Sequence, residues 1–501
     1  MINYLNTIAP HFTQNNIIYK THDCKAHGVV VEDVPEDVSL VIIPDAGSNQ
    51  YEEHAQLAAA GKEILILDHH NADRLPPQAC LINNQTCLYP NKALSGVGIV
   101  YKFCCYLDSL LGKTIAPRFL DLVAVGMVAD MMPLNSYETK HFVSNGLNNI
   151  INPFIQGMVI KNEFYLKGKL TPHGISFCIA PAVNAIARVG SLSERRILFE
   201  SMLEFCAYDQ IPSTKRGGAG TMETKVEQAC RNCTNVRNRQ NKDRDYSLEV
   251  AENLIDKYNL LDNPVLFIQF DESAVNENLT GLIANQIAAK YNRPTLVLNS
   301  VYEINTDTGE AFLFWRGSAR NVKGTKFEDF QKFLLNSNLV EYAAGHANAF
   351  GVSIPENALE TLKFYCKTAL DEKDFTPIYK VDAIYGANTI DGLDILSIGD
   401  LTHLWGEGME EPLVAIKNLQ INGGNLTLMK GPTIKNTPAN REDGLEYILF
   451  KTTEDVYQAL YSEYGIITID LVGTCARNDY TGRPQIVIKD FEIVKKQDYY
   501  F

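Results

Sequence analysis

The 501-residue sequence predicts an α/β protein: a mainly parallel sheet domain, a long connecting helix, a second α/β unit and a C-terminal β-barrel. Three observations predict it. Apolar runs at residues 40–43, 64–67 and 122–129 each stop at a carboxylate, Asp45, Asp68 or Asp130, as buried parallel strands do where their carboxyl ends meet a ligand site. Apolar residues at helical spacing then continue from Met222 to Ile255 around a polar middle. Beyond residue 376, short β-rich segments separated by turn residues replace the alternation of strand and helix.

From the N-terminus, residues 17–19, 38–43 and 63–67 read as strands, and residues 51–60 and 98–111 as helices. The third carboxylate-terminated run, 122–129, repeats the design of the first two. Helical patterns follow at 137–151 and 195–205, interrupted at 181–188. Residues 212–220, Pro-Ser-Thr-Lys-Arg-Gly-Gly-Ala-Gly, read as a flexible linker because no strand precedes them to build a phosphate loop. Met222, Val226, Cys230 and Cys233 then begin the connecting helix. The second α/β unit has strands at 264–270, 295–299 and 312–320 and a helix at 281–290, followed by a small-residue turn at 341–348. In the last region, strands at 413–420, 426–429, 465–472 and 485–488, with one helix at 453–464, suggest a barrel of the OB type. The domain boundaries on this reading are 1–205, 206–256, 257–375 and 376–501.

Composition excludes several classes. With 46% hydrophobic and 21% charged residues the chain is an ordinary globular protein. No signal-like start and no apolar run near 18 residues is present, so a cytoplasmic protein without a membrane partner is expected. Scattered cysteines suit buried thiols, and the lone Cys230-Arg231-Asn232-Cys233 fits one face of a helix better than a zinc site. A formal net charge of −15 argues against a broad polyanion-binding coat, although carboxylates that hold metal make the count more negative than the metal-loaded protein.

The chemistry concentrates in Asp45, Asp68-His69-His70 and Asp130. Carboxylate oxygens and imidazole nitrogens converging on a sheet rim suit a hard divalent cation such as Mn²⁺ or Mg²⁺. In the second unit, Gly317-Ser318-Ala319-Arg320 beside Gly345-His346 offers close backbone approach and a forked donor, a grip for a phosphodiester. Arg477, Tyr480 and Arg483 near one C-terminal turn suit stacking on, and tracking of, a nucleic-acid strand.

These motifs, together with Ser95-Gly96-Val97-Gly98, residues 126–130 and residues 181–188, occur in the order found in the DHH phosphoesterase superfamily. Within it the chain resembles the RecJ single-strand-specific exonucleases. Residues 406–412 and 478–482 are similar to the family's OB-domain signatures. The resemblance implies a DHH-type sheet domain, a DHHA1-type second domain and a two-ion, usually Mn²⁺, phosphodiesterase that degrades single-stranded DNA from 5′ to 3′ in repair and recombination. It implies Asp45, Asp68, His69 and Asp130 as the metal set, Asp45 bridging the ions, His69 and Asp130 completing one of them, and Asp68 and His70 supporting the cluster. Asp68, His69, His70 and Asp130 would be catalytic. Substrate phosphates would be held by His70, Asn184, Arg188, Ser318, Arg320, Gly345 and His346.

One departure matters. The family's aspartate-rich first motif, DxDG, has no counterpart: before Asp45 stand only Asp23, Asp33 and Asp37, none paired after an apolar run. Either that segment is encoded separately, or another group substitutes, or the chain is a degenerate, non-cleaving DNA-binding scaffold. A small-nucleotide phosphodiesterase is the remaining alternative. Counting ligands, this chain is expected to hold one ion rather than two and by itself to cut single-stranded DNA poorly or not at all, with single-stranded DNA, a separate N-terminal segment or a single-strand-binding protein as partners. Ala187 and Ala344 stand where the family favours glycine.

Overall fold

Strand β1 (Leu40–Pro44), strand β2 (Glu63–Asp68) and strand β3 (Cys80–Asn83) form an all-parallel sheet in the order β1-β2-β3. Its central strand is the most buried, as a run of β-formers between two neighbours should be. The structure is a computed structural model that describes residues 1–21, 28–218, 220–271, 279–304, 310–429, 433–438 and 443–498. Asp23, one of the aspartates preceding Asp45, lies outside them.

Helices Gly96–Leu111, Leu120–Ala129 and Tyr137–Asn148 pack against this sheet through Leu67, Leu94, Ile99, Val123, Met127 and Val143. The run at 122–129 is therefore a helix, not a third strand of the same design. Asp121 identifies its start: its carboxylate accepts from the amides of Ile151 and Asn152 (2.9 and 2.7 Å), tying the helix to the loop that follows the third one. Residues 181–188, expected as an interruption, lie within the helix Ala180–Val189, and residues 17–19 form no strand. Ala187 on that helix and Ala344 in a strand adopt ordinary negative φ, so neither position needs glycine. Part of the expected linker is ordered: β4 (Gln210–Pro212) pairs with β5 (Met222–Thr224). The connecting helix is continuous from Lys225 to Lys257, and burial among apolar neighbours pushes the Cys230 and Cys233 thiols up to about 11 and about 12.

The chain divides into two units, residues 1–237 with 381–501, and residues 238–380. The second unit holds a five-stranded mixed sheet of β6 (Leu266–Phe270), β7 (Thr295–Ile304), β8 (Ala311–Arg320), β9 (Tyr342–His346) and β10 (Ala349–Pro355), in the order β6-β7-β8-β10-β9. The small-residue segment expected as a turn is thus largely strand β9.

The C-terminal region corrects the expected barrel. Strands β11 (Ala383–Gly386), β12 (Leu413–Asn422), β13 (Leu426–Met429), β14 (Thr433–Asn436), β15 (Glu446–Leu449), β16 (Gly465–Arg477) and β17 (Pro484–Asp498) form one seven-stranded sheet in the order β11-β12-β16-β17-β15-β14-β13. Its outer strands each have a single neighbour, so it does not close, and no OB-type barrel is present among the described residues. Two bulges, at Thr468/Ile469 and Val472/Gly473, irregularly shift the long β16–β17 pairing and bend the sheet without joining its edges.

The helix that ends at Asp130 is held by close contact with the next one, Tyr137–Asn148. A Cβ on Gly146 would lie 2.1 Å from the Leu120 carbonyl oxygen and 2.6 Å from the Ala124 Cβ. Gly146→Ala is therefore expected to cost about 1–3 kcal/mol by forcing the two helices apart. Urea denaturation checks this; an unchanged midpoint would mean that the contact yields freely.

Candidate metal centre

The site is built where strands β1 and β2 stop. The Asp45 amide donates to the Leu67 carbonyl (2.9 Å), carrying the ladder one residue beyond β1, and Asp45 then turns with φ +62, a conformation sparsely populated by non-glycine residues. Its carboxylate is 61% exposed and meets the start of the helix Gly96–Leu111 so closely that a Cβ on Gly96 would lie 2.2 Å from its Oδ1. Ser95, which could cap that helix, turns its hydroxyl to the Met127 sulfur instead (3.2 Å). The positive helix end is left facing an anionic group. Asp130 follows the last residue of the helix Leu120–Ala129 and reaches the same place from the other side.

His69 lies between them. Its Nε2 is 3.2 Å from Asp45 Oδ1 and 3.3 Å from Asp130 Oδ2, and its side chain is largely buried. Octahedral oxygen and nitrogen ligands at roughly 2.1 Å from an ion stand about 3 Å from one another, so these three atoms have the spacing of neighbouring ligands. Burial works against a charged His69, but the hydrogen bond its ring donates to Asp45 and the charges of Asp130, Asp45 and Asp68 prevail and raise its basicity. Asp130 is also raised, by burial and by Asp45, with His69 and His70 opposing. This is an under-neutralised acidic cluster, and its donor set fits a hard divalent ion.

Asp68 is different. Ligand-type atoms of Asp45, Asp68, His69 and His70 all lie within 4.8 Å of one another, which by proximity alone would count Asp68 as a ligand and leave Asp130 out. Hydrogen bonding gives the better division. Asp68 is 1% exposed, and its Oδ2 accepts from the Ser48 hydroxyl (2.6 Å) and amide (3.2 Å). Its Oδ1 accepts from the amides of His69 (2.7 Å) and His70 (3.3 Å) and from His70 Nδ1 (2.7 Å). Five donors use up a carboxylate's acceptor capacity. Burial alone would raise Asp68, yet the bonds from Ser48, His70 and the two backbone amides win and hold it below the usual carboxylate range.

The structure thus brings together Asp45, Asp68, His69, His70 and Asp130. Asn184 and Arg188 are exposed one turn apart on the helix Ala180–Val189, and among the described residues no hydrogen bond ties either to the cluster. Ser318, Arg320, Gly345 and His346 belong to the second unit. There Arg320, Ala349 and His346 are aligned across β8, β10 and β9, and the Ser318 hydroxyl lies 2.9 Å from that of Thr280. Arg320 also borders the first turn of the helix Thr280–Tyr291, where a Cβ on Gly281 would come within 2.7 Å of its guanidinium. Arg477 is engaged by Asp400 (2.8 and 2.6 Å), while Tyr480 is 89% exposed with the Lys167 ammonium 5.5 Å above its ring. The residues that sequence reading missed are Ser48, Asn83 and Thr280. Only Asn83 had a visible signal, a short apolar run ending in amides.

Over 500 residues the chain is 34% identical to the putative SPbeta prophage-derived single-strand DNA-specific exonuclease YorK of Bacillus subtilis (strain 168), covering 99% of this chain and 84% of that one. It belongs to the DHH superfamily. The DHH family, N-terminal domain, matches residues 1–127. The single-stranded-DNA-specific exonuclease RecJ of Bacillus subtilis (strain 168) is 24% identical over 475 residues, 92% of this chain and 54% of that protein, so this DHH chain spans about half of RecJ's length. The crystal structure of RecJ in complex with Mn²⁺ from Thermus thermophilus shares the fold with a TM-score of 0.65 at 16% identity, covering 92% of this chain and 63% of that one. No helix among the described residues is long and apolar enough to cross a membrane.

Asp68, buried, and Asp130, about half exposed, should respond oppositely to removal. Asp68, depressed, contributes stability that is present above the unfolded carboxylate pKa and lost as pH falls through its folded value. Asp130, raised, opposes folding once ionised. In metal-free protein near neutral pH, Asp68→Ala should lose roughly 3 kcal/mol, because several buried donors lose a charged acceptor. Asp130→Ala should match or exceed the wild type. Denaturant unfolding in the presence of a chelator checks both, and equal losses would contradict the division of roles.

Proposed function

We propose that this protein is a divalent-metal-dependent phosphodiesterase that acts as an exonuclease on single-stranded DNA. The observation that carries the reading is the placement of His69 Nε2 at 3.2 and 3.3 Å from two carboxylates that arrive from separate elements. The names of YorK and RecJ, both single-strand DNA-specific exonucleases, support the substrate class.

On this reading Asp45, His69 and Asp130 hold one Mn²⁺ or Mg²⁺, and Asp68 orients the two histidines rather than serving as a ligand. When bound, such ions supply positive charge to an in-line phosphoryl transition state and lower the pKa of water. The uncapped start of the helix Gly96–Leu111 favours a phosphate oxygen beside Asp45, and His70, its side chain 61% exposed and its Nδ1 turned to Asp68, is proposed to meet substrate through its other ring nitrogen. Arg188 and Asn184 are proposed contacts for further phosphates, and Ser318, Arg320, Gly345 and His346 are proposed as the second unit's own phosphate contacts.

The expected outcome is tight binding of about one Mn²⁺ per chain by calorimetry and slow, Mn²⁺-dependent release of nucleotides from single-stranded but not duplex DNA. Asp130→Ala should depress that rate by more than the roughly 10–100-fold that loss of an outer-shell partner costs. Undiminished cleavage by this variant would sink the metal assignment. Arg188→Ala and Arg320→Ala should each weaken single-strand binding and lower the log–log salt slope by about 0.7. Unaltered slopes would show that these arginines serve the fold.

A further inference from the structure

Asn83 closes strand β3, and in the parallel register it stands beside Asp68 at the end of β2. It is 3% exposed. Its Oδ1 accepts from the Gln85 amide (2.7 Å), which settles the orientation of the side-chain amide. Its Nδ2 therefore donates, to Ser48 Oγ (3.1 Å) and to the His70 carbonyl (2.8 Å). The Ser48 hydroxyl, having accepted from Asn83, sends its one proton on to Asp68 Oδ2 (2.6 Å). With that oxygen occupied and Asp68 ionised, the other oxygen accepts the proton on His70 Nδ1 (2.7 Å).

Every donor in this chain has one direction. We propose that Ser48 and Asn83 are positioning residues that, through Asp68, fix His70 in the Nδ1–H tautomer and aim its Nε2 lone pair into the site. The Asn83 bond to the His70 carbonyl holds the backbone, and the Asp68 bond holds the ring. The ring is then available outward as a ligand, a proton acceptor or, once protonated, a donor to phosphate oxygen. Without the Ser48 hydroxyl, Asp68 Oδ2 keeps only the longer bond from the Ser48 amide, and a buried Asn83 donor loses its acceptor. The imidazole is then freed toward the Nε2–H form that a solvated ring prefers.

The test uses the full chain labelled at its histidine rings, metal-free, at about pH 8, where a histidine of ordinary pKa is neutral. Two-bond proton–nitrogen spectra report the tautomer of each ring, and the His70→Gln variant identifies the signals that belong to His70. The wild type should show the Nδ1–H form. Ser48→Ala and Asn83→Ala should shift His70 to a mixture containing the Nε2–H form, and Ser48→Thr, which keeps the hydroxyl, should restore it. Retention of the wild-type tautomer in both alanine variants would overturn the proposal, as would a fall in melting temperature with no change at His70. Should Ser48→Ala fail to fold, Asn83→Ala decides alone. A second readout rests on the phosphodiesterase reading: kcat on a single-stranded oligonucleotide with Mn²⁺ should fall roughly 10–100-fold with little change in KM. If the wild type itself does not cleave, that reading fails while the tautomer measurement still settles this one.

Discussion

A carboxylate that cannot reach water must be given its hydrogen bonds by the protein, and the candidate metal centre depends on how this is done for Asp68. Leaving an ion unpaired at such a depth would cost several kcal/mol. Its donors come from the turn after β1, from the two residues that follow it and, through Ser48, from the end of β3. All three parallel strands must therefore end level. A slip of one residue in either ladder would point the next side chain to the opposite face of the sheet and leave Asp68 uncompensated. The requirement that Asp68 stay ionised thus also fixes where His69 and His70 emerge.

The same few residues carry two opposite electrostatic arrangements. Asp68 is over-supplied with donors and held ionised, so it stabilises the fold and gives His70 a fixed partner. Asp45 and Asp130 are under-supplied: apart from His69 between them, their charges oppose each other, and burial, with a smaller contribution from Asp45, leaves Asp130 raised. That repulsion is tolerable because both side chains are about half exposed, and it is charge that a cation would offset, as a satisfied network would not need. Rigid support beneath and unsatisfied charge above is the arrangement by which outer partners orient metal ligands.

How much of this is legible in the sequence follows from how far each signal reaches. Asp45, Asp68, His69, His70 and Asp130 stand out because each closes an apolar run, and the structure gathers all five. The run at 122–129 misleads in type, since a short continuous apolar stretch fits a buried strand and a buried helix equally; Asp121, accepting from amides 30 residues on, is what marks the helix. Ser48 and Asn83 are invisible in isolation because their roles exist only through partners 20 and 35 residues away. The barrel fails for a related reason. Turns and alternation near residues 422–425 and 465–488 specify hairpins, which are local, whereas closure depends on tilt and register summed across a whole sheet. The parallel pairs β11–β12 and β15–β17 are not hairpin products and leave β11 and β13 as open edges.

The open C-terminal sheet is joined to the metal centre by more than chain continuity. The turn after Asp130 passes through Met131, with φ +54, and is held from outside: the Leu134 amide donates to the Glu407 carbonyl (2.7 Å), and Lys140 reaches the Met409 sulfur (3.4 Å). A Cβ on Gly406 would strike Leu134 at 2.6 Å, and one on Gly408 would press on Pro133 at 3.0 Å. The segment at 406–409 therefore packs closely on Pro133 and Leu134, a few residues beyond Asp130, and a larger residue there must displace them. On the proposed ligand set, in which Asp45, His69 and Asp130 act together, the Gly-Glu-Gly-Met stretch helps hold the turn that places Asp130. The C-terminal region supplies one wall of the centre's support, which explains why it falls in the same unit as the sheet carrying Asp68 although residues 238–380 stand between them in sequence.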